Sequence, residues 1–205
     1  MKPSALIRTA IIVSATALTT YASAAVLQVN SSGILTGAKN VLVQGKLYNV
    51  SFAEGSCIST FTGCDGNSDF TFSNLTSVIA AGDALLNQVF IDNGSNQFNS
   101  QTDKIFGCTN TAFCYTFIPY LSNGPASTIF GMAYTANFSS AFLSQFPGEN
   151  DKVTLSPFQK DIDLANYDVY NFAKFELANT VPEPTSIALM GVAFAGLAFS
   201  RRRKS

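Results

Sequence analysis

The 205-residue sequence contains no histidine and no tryptophan. Without histidine there can be no Ser-His-Asp or Cys-His nucleophile system, and most hydrolytic zinc sites are excluded with them. Without tryptophan the broadest ring for stacking a sugar is missing, which leaves Tyr48, Tyr115, Tyr120, Tyr134, Tyr167 and Tyr170 as rings that could stack. Charge is sparse as well, at 12% of residues against 47% hydrophobic. Between Arg8 and Arg201 no arginine occurs, and within residues 25–180 six lysines (39, 46, 104, 152, 160 and 174) face twelve acids, giving this body a net charge near −6 where the whole chain is −1. A body so charged has no basic stripe with which to hold nucleic acid, and it disfavours phosphate-rich ligands. No G-x-S-x-G, P-loop or dinucleotide fingerprint appears, so catalysis and cofactors are not expected. The one catalytic route left open is a pair of carboxylates that only the fold would bring together, as in a glycan-active enzyme.

What is present is concentrated at the two ends. Residues 1–24 carry Lys2 and Arg8, then the apolar run Thr9 to Leu18, then Ala22-Ser23-Ala24 before Ala25. That order of charged, apolar and small-x-small segments is a secretory signal peptide, to be removed by signal peptidase after passage through the general secretion machinery.

The C-terminal stretch has three parts. Val181-Pro182-Glu183-Pro184 contains two prolines that fix φ and remove two backbone donors, so it should be extended and unable to join a helix or a central strand. Thr185 to Ser200 is uncharged and apolar on all sides, the pattern of a helix buried in lipid. At roughly 1.5 Å per residue it reaches about 24 Å, just short of a bilayer core of about 30 Å. Arg201, Arg202, Arg203 and Lys204 follow, and the positive-inside rule places them in the cytoplasm with everything before Val181 outside. This tripartite end resembles the PEP-CTERM sorting signal of exopolysaccharide-producing Gram-negative bacteria. The resemblance implies an exosortase, a membrane-embedded cysteine peptidase, as partner. It also implies an inner-membrane-anchored precursor and a final place at the cell surface or outside the cell. It assigns a route and no activity, because a sorting signal can follow unrelated domains.

Between the ends, residues 25–177 are expected to form one exported β-rich domain, with 178–205 as linker, VPEP motif, transmembrane helix and basic tail. Four cysteines, Cys57, Cys64, Cys108 and Cys114, in an exported chain argue for two disulfides. Three pairings are possible, and the local one, Cys57 with Cys64 and Cys108 with Cys114, closes the shortest loops. Neither spacing suits a four-thiolate zinc site.

Ala25–Asn30 reads as a short strand. Val41 to Phe52 reads as a hairpin on Gln44-Gly45, its second arm alternating Tyr48, Val50 and Phe52 with polar residues. Phe70-Thr71-Phe72 reads as a short strand. Leu75 to Phe90 is the one helix predicted for the body, with Asn74 as N-cap and Gly82 as a weak point worth about 1 kcal/mol relative to Ala. Asp92 to Asp103 is a surface loop. Phe113–Tyr120 pairs with Ser127–Phe138, and Val153–Leu155 and Asn166–Leu177 complete the set. The fold class is therefore α+β: mainly antiparallel strands with one packed helix, followed by a C-terminal transmembrane helix.

Asp65, Asn67 and Asp69 place oxygen ligands at alternate positions, as calcium loops do, but Phe70 and Thr76 stand where an EF-hand needs Gly and Glu. A turn-forming acidic loop is the simpler account, and Asp161, Asp163 and Asp168 form a second acidic patch of the same kind. The functional expectation is a non-catalytic surface or extracellular-matrix protein linked to exopolysaccharide or biofilm. The alternatives are a secreted glycan-active enzyme and a calcium- or carbohydrate-binding module.

Overall fold

The computed structural model describes residues 24–94, 96–120 and 129–178. The sorting residues, the basic tail, the apolar segment between them and all but the last residue of the leader lie outside that range. Nine strands are formed: β1 (Val26–Val29), β2 (Leu35–Val43), β3 (Lys46–Ala53), β4 (Asp92–Asn93), β5 (Asn96–Gln97), β6 (Phe113–Tyr120), β7 (Ile129–Phe138), β8 (Lys152–Gln159) and β9 (Tyr170–Leu177). Three α-helical segments, α1 (Cys57–Thr60), α2 (Leu75–Gln88) and α3 (Ser140–Gln145), accompany them.

The hairpin joining β2 to β3 turns on Gln44 and Gly45, both at positive φ (48° and 79°). That geometry carries the twist antiparallel strands need. Along β3 the side chains alternate as the period-2 pattern requires, with Tyr48, Val50 and Phe52 buried and Leu47, Asn49 and Ser51 less so. One extra residue in β2, between Ala38 and Val41, makes a bulge in which Asn40 takes φ 58°, a conformation asparagine tolerates. Helix α2 begins where expected, the Asn74 side chain accepting the Ser77 backbone N–H at 3.0 Å. It lays Val78, Ala81, Ala84 and Leu85 against the sheet, where each larger apolar side chain contributes roughly 1.5–3 kcal/mol of burial.

Seven strands form one sheet in the order β1-β2-β3-β9-β6-β7-β8. The last strand of the body, β9, is thus its middle: antiparallel to β3 on one side and parallel to β6 on the other. All other neighbours are antiparallel. Residues 171, 173 and 175 of β9 look toward α2, and 170, 172 and 174 look to the opposite face. The α2 side holds the main core, from Leu35, Val41 and Val50 through Leu85, Val89 and Phe90 to Ile118 and Phe175. Two fully buried amides on that side tie the long connection between α2 and β6 to the sheet. Asn137 Nδ2 donates to the Phe98 carbonyl at 2.9 Å, and Asn171 Nδ2 donates to that of Phe106. The opposite face is capped over its centre by a second cluster, in which Cys57, Phe61, Cys64, Phe70 and Leu164 cover Phe117 and Phe172.

The α+β reading with mostly antiparallel strands and a packed helix holds. Several local expectations differ. Residues 70–72 form no strand, because Phe70 turns into the second cluster and Phe72 into the first while Thr71 Oγ1 donates to the Phe175 carbonyl. β9 begins only at Tyr170, since Asn166 ends a 3-10 turn and Val169 makes an isolated bridge with Cys108; β8 is longer than 153–155, and α2 ends at Gln88. The 92–103 loop carries the short β4–β5 ladder. The parallel β6–β9 pair and α3 are additional. Among the described residues no helix is long and apolar enough to cross a membrane.

Candidate functional site

The structure pairs Cys57 with Cys64 and Cys108 with Cys114, Cα atoms 5.8 Å apart in each case. Each bridge shapes a loop at the same end of the sheet, where β3 finishes and β6 and β9 begin. The first holds α1, whose Ser56 cap accepts the Ser59 N–H. The second holds the turn 108–114, seated on the 168–169 backbone: Thr109 N–H and Asn110 N–H both donate to the Asp168 carbonyl, at 2.8 and 3.1 Å.

A cleft of about 360 Å³ opens between these loops, lined by Glu54, Gly107, Thr109, Ala165, Asn166, Tyr167 and Asp168. Its walls are fixed from behind. Leu164 is fully buried and its N–H donates to the Gly55 carbonyl at 2.9 Å. The Asp163 side chain closes the turn by accepting the Ala165 N–H at 3.0 Å, and Tyr167 N–H donates to the Leu164 carbonyl at 3.0 Å. Gly107 forms the floor at φ +83°, and a Cβ there would lie 2.8 Å from Asn171 Cβ and 3.1 Å from Glu54 Cγ. Only glycine lets the chain pass there without displacing the Glu54 stem. The side chains of Glu54, Thr109, Asn166 and Asp168 are exposed, and among the described residues none of them makes a hydrogen bond or ion pair. Tyr167, 46% exposed, stands beside them.

From that ring a chain of half-buried tyrosines runs across the sheet face away from α2, along the edge of the second cluster. Ring centroids are 5.5 Å apart for Tyr167 and Tyr170, 5.8 Å for Tyr170 and Tyr115, and 5.4 Å for Tyr115 and Tyr134. Cross-strand register sets this order, because Tyr115 sits opposite Tyr170 on β9 and opposite Ala136 on β7, which places Tyr134 diagonally beside it. Burial raises the Tyr115 phenol above its ordinary value, with Tyr134 and Tyr170 adding to the effect. At the far rim Lys152 Nζ meets Glu149 Oε2 at 2.8 Å, and that contact raises the lysine. The two other tyrosines proposed for stacking, Tyr48 and Tyr120, are buried on the α2 side and unavailable.

The acidic residues separate into roles. Asp69 Oδ2 accepts the backbone N–H groups of Asp65 and Gly66, each at 2.9 Å, and these bonds lower its carboxyl. The oxygen that would face a cation is thereby used to close the turn. Among the described residues no group of three or more acidic, cysteine or histidine side chains converges on a point that could hold a metal. Of the second patch, Asp163 is a turn cap, Asp161 is exposed, and Asp168 enters the cleft. Glu54, Thr109 and Asn166 carried no sequence signal as site residues, since their meeting depends on pairings between distant segments.

Val181, Pro182, Glu183 and Pro184, with Arg201, Arg202, Arg203 and Lys204, are outside the described residues, and so are Met1 to Ser23. The last described link before them is the Ala178 N–H, which donates to the Leu47 carbonyl at 2.9 Å at the opposite end of β9 from the cleft. Residues 180–204 match the family model of the PEP-CTERM protein-sorting motif. No curated protein and no solved structure matches the chain.

Proposed function

We propose, from the premise that this is an exported chain whose C-terminal PEP-CTERM motif delivers it to an exosortase for processing at the membrane, that its folded body is a non-catalytic component of the cell surface or extracellular matrix, associated with exopolysaccharide. The match at residues 180–204 is the observation that carries this reading. The two disulfides are consistent with it, because such bonds persist outside the reducing cytoplasm. So is the architecture. Two residues lie between Ala178, the last residue of the folded body, and Val181, so the body directly precedes the sorting motif in the chain.

Deleting residues 181–205 and fractionating the cells tests the route. Loss of the membrane-held precursor, with disulfide-bonded body in the periplasm or medium, is expected. An unchanged distribution would refute it. A second reading, a carboxylate-based glycan hydrolase, draws on one observation: Glu54 and Asp168 line the same cleft. Incubating the protein and its Asp168→Asn variant with purified exopolysaccharide separates the two. Release of reducing ends that depends on Asp168 would favour the enzyme.

A further inference from the structure

We infer that the cleft at the end of the sheet opposite Ala178 is a binding site for an amino-sugar glycan, a chain bearing free ammonium groups, with Tyr167 as stacking wall and the tyrosines beyond it as the track along which the chain lies. This rests on the polysaccharide-associated reading above and names its ligand class and site.

Three observations support it. The cleft is a formed concavity of about 360 Å³, within the size of sites that take small ligands. Its walls are held by backbone bonds and the buried Cys108–Cys114 bridge, so little ordering is required on binding. Its polar side chains, an amide, a hydroxyl and two carboxylates, have no partner among the described residues and surround one exposed aromatic ring. That is the chemistry a pyranose needs: a flat apolar face for its C–H groups, with donors and acceptors at its edge.

Charge decides among glycans. The lining holds Glu54 and Asp168 and no cation, so an acidic polymer would meet repulsion and an ammonium would meet complementary charge. The body as a whole, six lysines against twelve acids, points the same way. The tyrosine track then extends the contact beyond one sugar unit, with Lys152 already neutralised by Glu149 at its end.

The test uses the exported protein in calorimetry and affinity electrophoresis with three probes: a glucosamine oligomer, a dextran and an alginate oligomer. Binding of the glucosamine oligomer alone, weakening as salt is raised, is expected. Tyr167→Ala and the double change Glu54→Gln/Asp168→Asn should each weaken it about tenfold or more, while circular dichroism and thermal midpoints stay unchanged. Tyr48, buried on the other face, gives a contrast through Tyr48→Phe, which should bind as the parent does. Equal binding of all three probes, no binding of any, or glucosamine binding indifferent to the cleft variants would overturn the site. Cleavage of the oligomer would overturn it too. Each of these results is independent of whether the 181–205 deletion changes cellular location, so the site and the sorting route fail separately.

Discussion

Replacing Gly82 with alanine sets two effects against each other at a known place. Gly82 lies in the middle of α2 and is buried against β7 and β8. By helix propensity alone the change should stabilise the protein by about 1 kcal/mol. The packing says otherwise: a Cβ at that position would lie 2.8 and 2.9 Å from the two methyl carbons of Val153 and 2.9 Å from Thr135 Oγ1. Rotating Val153 about χ1 turns only one of the two methyl groups away, and Thr135 is fully buried. Overpacking of this kind costs about 1–3 kcal/mol, and with three side-chain atoms inside 3 Å the upper half of that range applies. The net expectation is a loss of about 1–2 kcal/mol. In urea unfolding followed by circular dichroism this appears as a lower midpoint at unchanged slope. In a thermal scan it is a fall of about 2–4 °C for each kcal/mol. Gly82→Ala combined with Val153→Ala should show a favourable coupling, since the second change vacates the space the first one needs. A Gly82→Ala protein about 1 kcal/mol more stable than its parent would mean that propensity outweighs contact at this site, contrary to the packing.

Asp151 offers a pH test. It is half-buried and accepts the Phe138 N–H at 2.7 Å, yet loss of solvent outweighs that bond and raises its carboxyl above 3.8. A raised acid favours the protonated folded form, so its contribution is most favourable below pH 4 and declines as pH rises through the shifted value. Asp151→Asn should therefore raise the thermal midpoint at pH 7, with the gain vanishing below pH 4; a gain that persists at pH 3 would contradict the assignment. Removing the second bridge with Cys108→Ala/Cys114→Ala should cost about 2–3 kcal/mol from the chain entropy of so short a loop. Calorimetry showing no loss would mean the Asp168 carbonyl and its two amide donors fix the turn unaided. Neutralising Arg201 to Lys204 should let the apolar segment slip through the bilayer, read as loss of membrane-held precursor; unchanged retention would count against the topology.

Local features were readable from sequence where local chemistry decides them. The Gln44-Gly45 turn, the alternation of Tyr48, Val50 and Phe52, and the Asn74 cap of α2 each follow from a few neighbouring residues. So did the pairing of the cysteines, since each bridge closes a loop of seven or eight residues. What pattern could not show was the sheet order. Strand β9 enters between β3 and β6, bringing Tyr170 opposite Tyr115 from 55 positions away, and no short-range signal specifies such a partner. The cleft inherits that limit, because Glu54, Thr109 and Asp168 come from three segments joined only by this insertion. Gly82 misled in the opposite sense: it reads as a defect in a helix, and in the structure it is a place where helix and sheet approach too closely for a Cβ. The hydroxyl-bearing rings were visible as candidates, but only the alternation of faces separates the outward Tyr115, Tyr134 and Tyr170 from the inward Tyr48 and Tyr120.

Export followed by exosortase handling of the chain's end is the step on which the protein's proposed place at the surface depends. Intact-mass spectrometry of the protein from cells with and without an active exosortase addresses this directly. Expected are an N-terminus at Ala25, two internal disulfides, and a full C-terminus held in the membrane only where the exosortase is missing. A chain of 205 residues, soluble in the cytosol with four free thiols in both strains, would contradict it.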